Sequence, residues 1–463
     1  MDFNQLSRRN FLAASAAFSW ASALPAWAAN SDNPKRPKLA AKLRAIYETP
    51  EGLATDSVWC RRAYLDLAGR IPTADEARAF VANQAADKRE RLVDGLLASE
   101  DFADYWAMRY CDILRVKSEF PINLWPNAVY VYHRRIRESL VHDESWLDFA
   151  RALLTTTGSN FRDAEANFLR ASAKRTPEGL SEAASLTFLG EASPKYAEYF
   201  ASVRIKDTRE WKEEIVYLEP GGKSPAQFAD LLAGELNDRF AAAHASRVWQ
   251  WLFVASPAPE RAAELAAQFR AADYRLKPFL RQLTLSADYA RGSITGGFPL
   301  RRLDAEVLDD AICALTGSKR DFQSIAPEPF TFLPSDRKSV LIEDGSISNA
   351  FLILFGRPAR DSGLLSERRL EVTAKQRLYL FNSGLLFTRL GKITDNKDFR
   401  NHPFQDQVSS LYWRFLGRAP APQEIRLIVK RFQDPKLVNP NRWRFIKDVA
   451  WCLLNSREFL FRG

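Results

Sequence analysis

Side chains that hold metals and cofactors are scarce in this 463-residue sequence. It contains four cysteines, four histidines and two methionines. The cysteines are Cys60, Cys111, Cys313 and Cys452. None of them has the C-x-x-C or C-x-C spacing of a zinc knot or a covalent haem site. The histidines, His133, His142, His244 and His402, lie in unrelated segments. We therefore expect no metal and no cofactor.

Long hydrophobic runs are also missing. No stretch of 18 apolar residues occurs, so the sequence does not predict an integral membrane protein. Apolar residues still make up 46% and aromatic residues 12% of the chain, enough for one large core or two to three ordinary ones. The 66 basic and 57 acidic residues are interspersed, which is typical of a solvated surface rather than of a nucleic-acid site.

The first 28 residues have the pattern of a twin-arginine export signal. "SRRNFL" is followed by the apolar "AASAAFSWASALP" and by "AWA", with cleavage expected after Ala28. A short membrane anchor is the alternative, but about fourteen apolar residues fall short of the roughly 20 that span a bilayer. We expect a periplasmic or secreted protein. In that compartment the cysteines could form one or two disulfides, or they could be small buried apolar residues.

Helical periodicity runs through most of the chain. "KRERLVDGLLAS" and "LKPFLRQLTLS" each place their leucines on one stripe. Strand signals are few, and the alternating segment Glu213 to Gly222 is the best candidate. The sequence predicts a mainly α, multi-helical protein with at most a short β-hairpin in the middle.

An internal repeat links the two ends. "AYLDLAGRIPTADEARAFV" and "LLASEDF" near the N-terminus match "LYWRFLGRAPAPQEIRLIV" and "LLNSREF" near the C-terminus. A fainter third copy runs from Arg247 to Tyr289. The aligned pairs are Tyr64/Tyr412, Gly69/Gly417, Arg70/Arg418, Pro72/Pro420, Glu76/Glu424, Ser99/Ser456 and Phe102/Phe459.

Each part of this unit predicts a local structure. Gly69 and Gly417 suit the left-handed residue that closes a helix. Thr73 with Glu76 forms a capping box that starts the next helix. Ser99, Ser286 and Ser456 are predicted N-caps of a final short turn whose aromatic residue enters the core. We interpret the repeat as helix-hairpin packing rather than as a reaction site.

With these units the chain resembles a known pair of domains over nearly all its mature length. It is similar to the planctomycete-type secreted cytochrome-like domain followed by its companion C-terminal secreted domain. The N-terminal resemblance rests on "RRAYLDLAGRIPTADEARAF", "RLVDGLLASEDFADYWAMRYCDILR" and "FLG". The C-terminal one rests on "ASRVWQWLF", "RRLDAEVLDDAI", "FLILFGRPARDS", "SERR" and "LLNSREFLF". It implies domains at 29–222 and 223–463, both of unknown function.

Two departures from that family concern its cofactor. Family members commonly carry C-x-x-C-H after "FLG", whereas residues Glu191 to Glu198 contain neither cysteine nor histidine. Relatives often show C-x-C-E-R after "FGRPARDS", whereas this chain has "GLLSER". The resemblance therefore implies a relative without haem. Glu367 and Arg368 remain and fit a structural ion pair.

The strongest polar cluster is "RRLDAEVLDDAI". On one helix, Arg302, Glu306, Asp309 and Asp310 would share a face, because they lie at i, i+4, i+7 and i+8. The three carboxylates could act as acid and base or bind a hard cation. Alternatively, the cluster is a structural helix rim paired with arginines. The candidate arginine partners are Arg357 and Arg360.

A second candidate segment is Asn123 to Leu140, which interleaves aromatic residues with arginines. Its candidate ligand-binding residues are Trp125, Tyr132, Arg134 and Arg137. Aromatic platforms beside arginines suit sulfated or carboxylated sugars. The alternative is a helix that packs its aromatic side inward and leaves its arginines outside.

Two functional hypotheses follow. The first is an exported, non-catalytic binding or scaffold protein that works with a co-exported protein partner. The second is a hydrolase or lyase that acts on anionic polysaccharide through Glu306, Asp309 or Asp310. Pairing of these carboxylates with arginines would favour the first, and an open cleft joining them to the Trp125 to Arg137 segment would favour the second.

Overall fold

The chain is mainly helical, as predicted. The computed structural model describes residues 46–49, 51–208, 212–324, 332–433 and 441–463. The expected export signal, residues 1–28, lies outside the described residues. Within the described residues, no helix combines the length and the apolar composition needed to cross a membrane.

The N-terminal half is built from short helices. They are α1 (Asp56–Ala63), α2 (Ala74–Ala82), α3 (Lys88–Leu97), α4 (Glu100–Ile113), α5 (Pro126–Val141), α6 (Trp146–Thr155), α7 (Asn167–Arg170) and α8 (Pro177–Leu189). A π-helical turn, Tyr64–Ala68, extends α1. Two 3₁₀ turns lie at Ala164–Ala166 and Pro194–Phe200.

The C-terminal half begins with the helices α9 (Pro225–Ala233), α10 (Asn237–Phe253), α11 (Pro259–Ala271), α12 (Leu276–Thr284), α13 (Ala287–Ala290) and α14 (Ala305–Thr316). It continues with α15 (Ala350–Leu354), α16 (Ala374–Asn382), α17 (Gly384–Gly391), α18 (Lys397–Asn401), α19 (Phe404–Leu416), α20 (Pro422–Phe432), α21 (Arg442–Leu454) and α22 (Arg457–Leu460). Its 3₁₀ turns are Ser339–Leu341, Leu365–Glu367 and Lys392–Asp395.

Strands are few and short. In the middle of the chain β2 (Val203–Asp207) and β3 (Glu214–Leu218) form the predicted antiparallel hairpin, and β1 (Gly158–Ser159) adds to the other edge of β3. A further pair was not predicted. Strand β4 (Arg301–Arg302) pairs antiparallel with β5 (Phe461–Arg462), which ties the last residues of the chain to its middle.

One apolar core runs through both halves. Trp106 of α4 and Trp251 of α10 meet edge to face with their ring centroids 5.5 Å apart. Trp59 of α1 meets Tyr289 of α13 in the same way at 6.3 Å. Burial of such large rings contributes roughly 1.5 to 3 kcal/mol each to the free energy of folding, so these contacts stabilise the packing of one half against the other.

The repeated unit forms the local structures that its sequence predicts, except that Ser99 caps the long helix α4 (Glu100–Ile113) rather than a short turn. Gly69 and Gly417 end their helices in the left-handed conformation, with φ of 61° and 69°. The capping box between Thr73 and Glu76 is present. Ser99, Ser286 and Ser456 accept a hydrogen bond from the backbone N–H three residues later. The aromatic residues at those positions, Phe102, Tyr289 and Phe459, are fully buried.

The third copy differs at its helix end. Val254 stands where the other copies have Gly69 and Gly417, and it also has a positive φ, 69°. Its ψ of −52° and a 2.7 Å hydrogen bond from the N–H of Ala255 to the carbonyl of Phe253 define a γ-turn. A positive φ is costly for a β-branched residue, so Val254 is a strained position.

Candidate functional site: an arginine-lined cavity between the halves

Glu306 lies on α14 and is completely buried. Its Oε2 accepts a 2.6 Å hydrogen bond from Arg368 Nη1, and its Oε1 accepts one of 3.1 Å from Arg368 Nη2. Arg357 Nε lies 3.4 Å from Oε1 as well. Both carboxylate oxygens are therefore engaged by arginines.

Asp309 and Asp310 have a different arginine partner. Arg320 lies 2.7 Å from Asp309 Oδ2 and 2.5 Å from Asp310 Oδ1. The Ser339 hydroxyl also donates to Asp309, and the backbone N–H groups of Ser339 and Val340 donate to Asp310. Burial raises the pKa of Asp310 to about 6, because Arg320 and these N–H groups offset its desolvation only in part.

The predicted helix face has a different composition in the structure. Arg302 lies in β4, before α14 begins at Ala305, so it does not share a helix with Glu306. Its guanidinium donates to the backbone carbonyls of Leu303, Phe355 and Arg369. Arg302 thus stabilises the chain path around the site through carbonyl groups.

Glu367 and Arg368 face different partners as well. Glu367 accepts hydrogen bonds from the backbone N–H groups of Asp361 and Ser362. Arg368 instead reaches Asp112 of α4, with Nη2 and Nε at 2.7 and 3.0 Å from Oδ2. Arg360 Nε binds the other oxygen of Asp112 at 2.9 Å. Asp112 therefore joins two arginines of the C-terminal half to the N-terminal half.

A second group of buried charges lies beside the first. Asp304 Oδ2 accepts a 2.6 Å hydrogen bond from Arg109, and Arg301 and Arg368 lie 3.7 and 3.8 Å from Oδ1. Burial alone would raise the pKa of Asp304, but the three arginines outweigh it and hold the pKa below its ordinary value. Asp66 in turn accepts a 2.8 Å hydrogen bond from Arg462 of β5.

A cavity of about 120 Å³ opens next to these charges. Arg109 and Asp112 of α4 line it from the N-terminal half, and Arg301 and Arg368 line it from the C-terminal half. The remaining wall is mostly apolar, with Trp251, Val254, Pro358, Leu364, Leu365 and Leu370. The cavity lies between the two halves, and its polar wall is dominated by arginine.

Comparison with protein families identifies both halves. The PSCyt2 family, described as "Protein of unknown function (DUF1549)", matches residues 38–206. The PSD1 family, described as "Protein of unknown function (DUF1553)", matches residues 258–432. The chain thus matches these two domains in this order. A comparison with curated proteins finds no match, and neither does a comparison with solved structures.

The family matches confirm the resemblance recognised in the sequence. The expected boundary at residue 222 falls between the two matched ranges. Asp112 belongs to the PSCyt2 domain, and Arg360 and Arg368 belong to the PSD1 domain. The buried ion pairs described above therefore join one domain to the other.

The segment with interleaved aromatic residues forms α5 of the PSCyt2 domain. Tyr132 is completely buried, and Trp125, which directly precedes the helix, is half-buried. Arg134 pairs with Glu138 on the exposed face at 2.8 Å. Arg137 lies 2.6 Å from Asp104 and also bonds Glu100. The structure does not place these side chains in the wall of the cavity.

The short segment Glu191 to Glu198 leads into a packed aromatic cluster. Tyr196, Tyr199 and Phe200 surround Phe228 of α9, with ring centroids 5.1, 6.1 and 5.5 Å from its ring. Tyr196 and Phe200 are buried. The aromatic side chains at the end of this segment thus form part of the apolar core.

The remaining ligand-type side chains are dispersed. His244 lies among Trp146, Phe269 and Tyr110, and burial holds the pKa of its imidazole well below its ordinary value. Cys60, Cys111 and Cys313 are buried free thiols. In the part of the chain that the structure describes, no three histidine, cysteine or acidic side chains are grouped as a metal site would require.

Proposed function

We propose that this chain is an exported, non-catalytic binding protein, a relative of the cytochrome-like domains that works without haem and with a co-exported protein partner. One observation carries the proposal. The carboxylates that could have served as acid and base, Glu306, Asp309 and Asp310, are each buried and bonded to an arginine. A general acid or base must be able to reach a substrate proton, and these groups are directed at the protein.

Hydrolase or lyase action on anionic polysaccharide is the alternative. It would need the carboxylates and the aromatic segment of α5 to share a cleft. Instead, Glu306 and the Asp309–Asp310 pair contact separate arginines inside the protein, Tyr132 is buried, and Arg137 is paired with Asp104. The raised pKa of Asp310 is explained by its burial, so it does not by itself support catalysis.

The test of the non-catalytic role uses purified mature protein. Incubation with polygalacturonate and with chondroitin sulfate should release no reducing ends and no unsaturated sugars. Turnover that disappears in a folded Glu306→Gln or Asp309→Asn variant would overturn the proposal. An Arg91→Gln variant on the exposed face of α3 serves as the control, since its ion pair with Asp87 is exposed to solvent and lies outside both candidate segments.

The absence of haem is tested on the same material. Protein produced in a host with active cytochrome maturation should show no Soret absorption near about 400 nm, because residues 191–198 hold no thiol or imidazole. A stoichiometric haem spectrum that is lost on changing His133, His142 or His244 would restore electron transfer as the function.

Export is tested in the cell. Changing Arg8 and Arg9 to lysine should leave the precursor in the cytoplasm, because a twin-arginine signal depends on both guanidinium groups. An unchanged periplasmic yield would contradict that route. The periplasmic fraction is also where a crosslinked partner is to be sought.

A further inference from the structure

The buried charges around the cavity do not balance. Four carboxylates form a connected network with six guanidinium groups. The carboxylates are those of Asp66, Asp112, Asp304 and Glu306. The guanidinium groups belong to Arg109, Arg301, Arg357, Arg360, Arg368 and Arg462. Among the described residues the network therefore holds two more positive than negative charges. An uncompensated charge is expensive inside a protein, so an anion nearby would stabilise this arrangement.

Arg301 is an incompletely satisfied arginine of this network. Its side chain is 4% exposed, and its only hydrogen bond to a carboxylate within the described residues is a 3.5 Å contact with Asp66. Asp304 lies 3.7 Å away, beyond hydrogen-bond distance, and Nε of Arg301 has no partner. A buried guanidinium normally has its donors satisfied, and this one lines the cavity.

Arg109 has spare donors on the same wall. Within the described residues its side-chain hydrogen bonds, to Tyr105 and to Asp304, both leave from Nη2. Arg368, by contrast, is fully engaged by Asp112 and Glu306. Asp112 would repel an anion only weakly, since both its oxygens are already held by arginines. Arg109 and Arg301 together thus offer free donors to an anionic group.

The strained residue lies at the same cavity. Val254 lines it while holding a positive φ that valine rarely adopts. Strained backbone persists where the surrounding structure requires it, and it is concentrated at binding sites. Here it places a branched apolar side chain in the wall beside Trp251.

We infer that the cavity binds a small organic carboxylate with a short apolar body. Its carboxylate group accepts hydrogen bonds from Arg109 and Arg301, and its apolar body contacts Trp251, Val254 and Leu364. A planar carboxylate matches the fork of a guanidinium, and the apolar wall selects against a naked inorganic anion. The inference rests on the proposed binding function and names the class of ligand.

The probe is hexanoate, titrated calorimetrically into the purified mature protein at pH about 7.5, where a carboxylate is ionised. Saturable binding of one hexanoate per chain is expected, with no binding of hexanamide, which has the same shape without the charge. Hexanamide binding as tightly as hexanoate, or no hexanoate binding at all, would overturn the inference. Inorganic phosphate binding as tightly as hexanoate would overturn the assignment of an apolar body.

Two variants locate the site. Arg301→Met removes the under-satisfied guanidinium and should abolish hexanoate binding, provided that the variant folds. Leu364→Glu avoids this difficulty, because Leu364 is 46% exposed at the mouth of the cavity. Its added carboxylate should weaken hexanoate binding at least about tenfold, or roughly 1.4 kcal/mol. The neutral control Leu364→Gln should stay within about threefold of the parent. Equal affinities in the Glu and Gln variants would place the ligand elsewhere.

The outcome can be told apart from that of the proposed function. Hexanoate binding together with polysaccharide turnover would contradict the non-catalytic role and leave the ligand class intact. Absence of both would leave the non-catalytic role intact and overturn the ligand class.

Discussion

Arg70 and Arg418 occupy the same position in two copies of one helical unit, and each donates two hydrogen bonds to the glutamate six residues further along. The distances are 2.8 Å for both bonds of Arg70 to Glu76, and 2.8 and 3.0 Å for those of Arg418 to Glu424. Each arginine also binds the acidic residue two positions after the serine cap, Asp101 or Glu458. The repeat therefore shares a group of ion pairs as well as its helix caps. We call this arginine with its two acidic partners the clasp.

The third copy retains a rearranged form of this clasp. Ala255 stands at the arginine position and Arg261 at the glutamate position. Arg261 then lies 3.3 Å from Asp288, the acidic residue of its own final turn. The contact is thus made directly, without the intervening glutamate.

The two clasps differ in burial, which gives the first prediction. Arg418 is 7% exposed, whereas Arg70 is 30% exposed. Arg418→Met should lower the free energy of unfolding by about 3 to 5 kcal/mol, because Glu424 and Glu458 would be left buried without a cationic partner. Arg70→Met should cost about 1 kcal/mol, since water can solvate the remaining carboxylates. Urea unfolding of both variants measures the difference, and equal losses would show that burial does not control these pairs.

The second prediction concerns the left-handed helix ends. A Cβ at Gly417 would lie 3.5 Å from Pro72 and 3.7 Å from Ala77, which are ordinary contacts. Gly417→Val should therefore act through its backbone alone and cost about 1 to 2 kcal/mol. Val254→Gly is the reverse change and should raise the thermal midpoint or leave it unaltered.

Gly95 provides the control for these changes. It lies inside α3, and a Cβ there would meet no atom within 4 Å. Gly95→Ala should stabilise the protein by about 0.5 to 1 kcal/mol. A thermal midpoint of Gly417→Val that matches or exceeds the parent's would show that the left-handed conformation at this position carries no cost.

The third prediction is a loss of stability on acidification. Burial lowers the pKa of His133 to about 3 and holds that of His244 well below its ordinary value. Below about pH 6.5 the unfolded chain binds protons at these residues and the folded chain does not, so the free energy of unfolding falls as the pH falls. Each histidine contributes at most about 1.4 kcal/mol per pH unit.

Asp310 opposes this trend over a limited range. Burial raises its pKa to about 6, so between about pH 4 and 6 the folded chain holds a proton that the unfolded chain releases. One carboxylate cannot cancel two histidines, and stability should still decline from pH about 6.5 to 4. Urea unfolding across this range measures the slope, which His244→Gln should reduce. A free energy of unfolding that is constant or rises on acidification would show that the histidines are not buried in the neutral form.

Local features of the fold were predictable from the sequence, because each is determined within a few residues. The capping box of Thr73 and Glu76, the serine N-caps, the glycine helix ends and the hairpin around Glu214 all follow from such short-range patterns. The copy with Val254 in the glycine position was visible only as a weak repeat, since valine does not signal a left-handed residue.

The cavity was not predictable in the same way. Asp112 and Arg368 are 256 positions apart, and nothing in either local sequence specifies the other as its partner. Arg302 was expected on the helix of Glu306, but β4 pairs with the end of the chain and removes it from that face. Such arrangements depend on how the domains pack, which residue spacing alone does not determine.

The central claim is that these buried charges form a structural network that joins the PSCyt2 and PSD1 domains. A double-mutant cycle on Asp112→Asn and Arg368→Met tests it most directly, with the free energy of unfolding as the measured quantity. Each single variant should be destabilised, and the coupling energy between them should be about 2 kcal/mol, because their side chains share two hydrogen bonds in a buried site. Effects that add to within about 0.5 kcal/mol would contradict the claim.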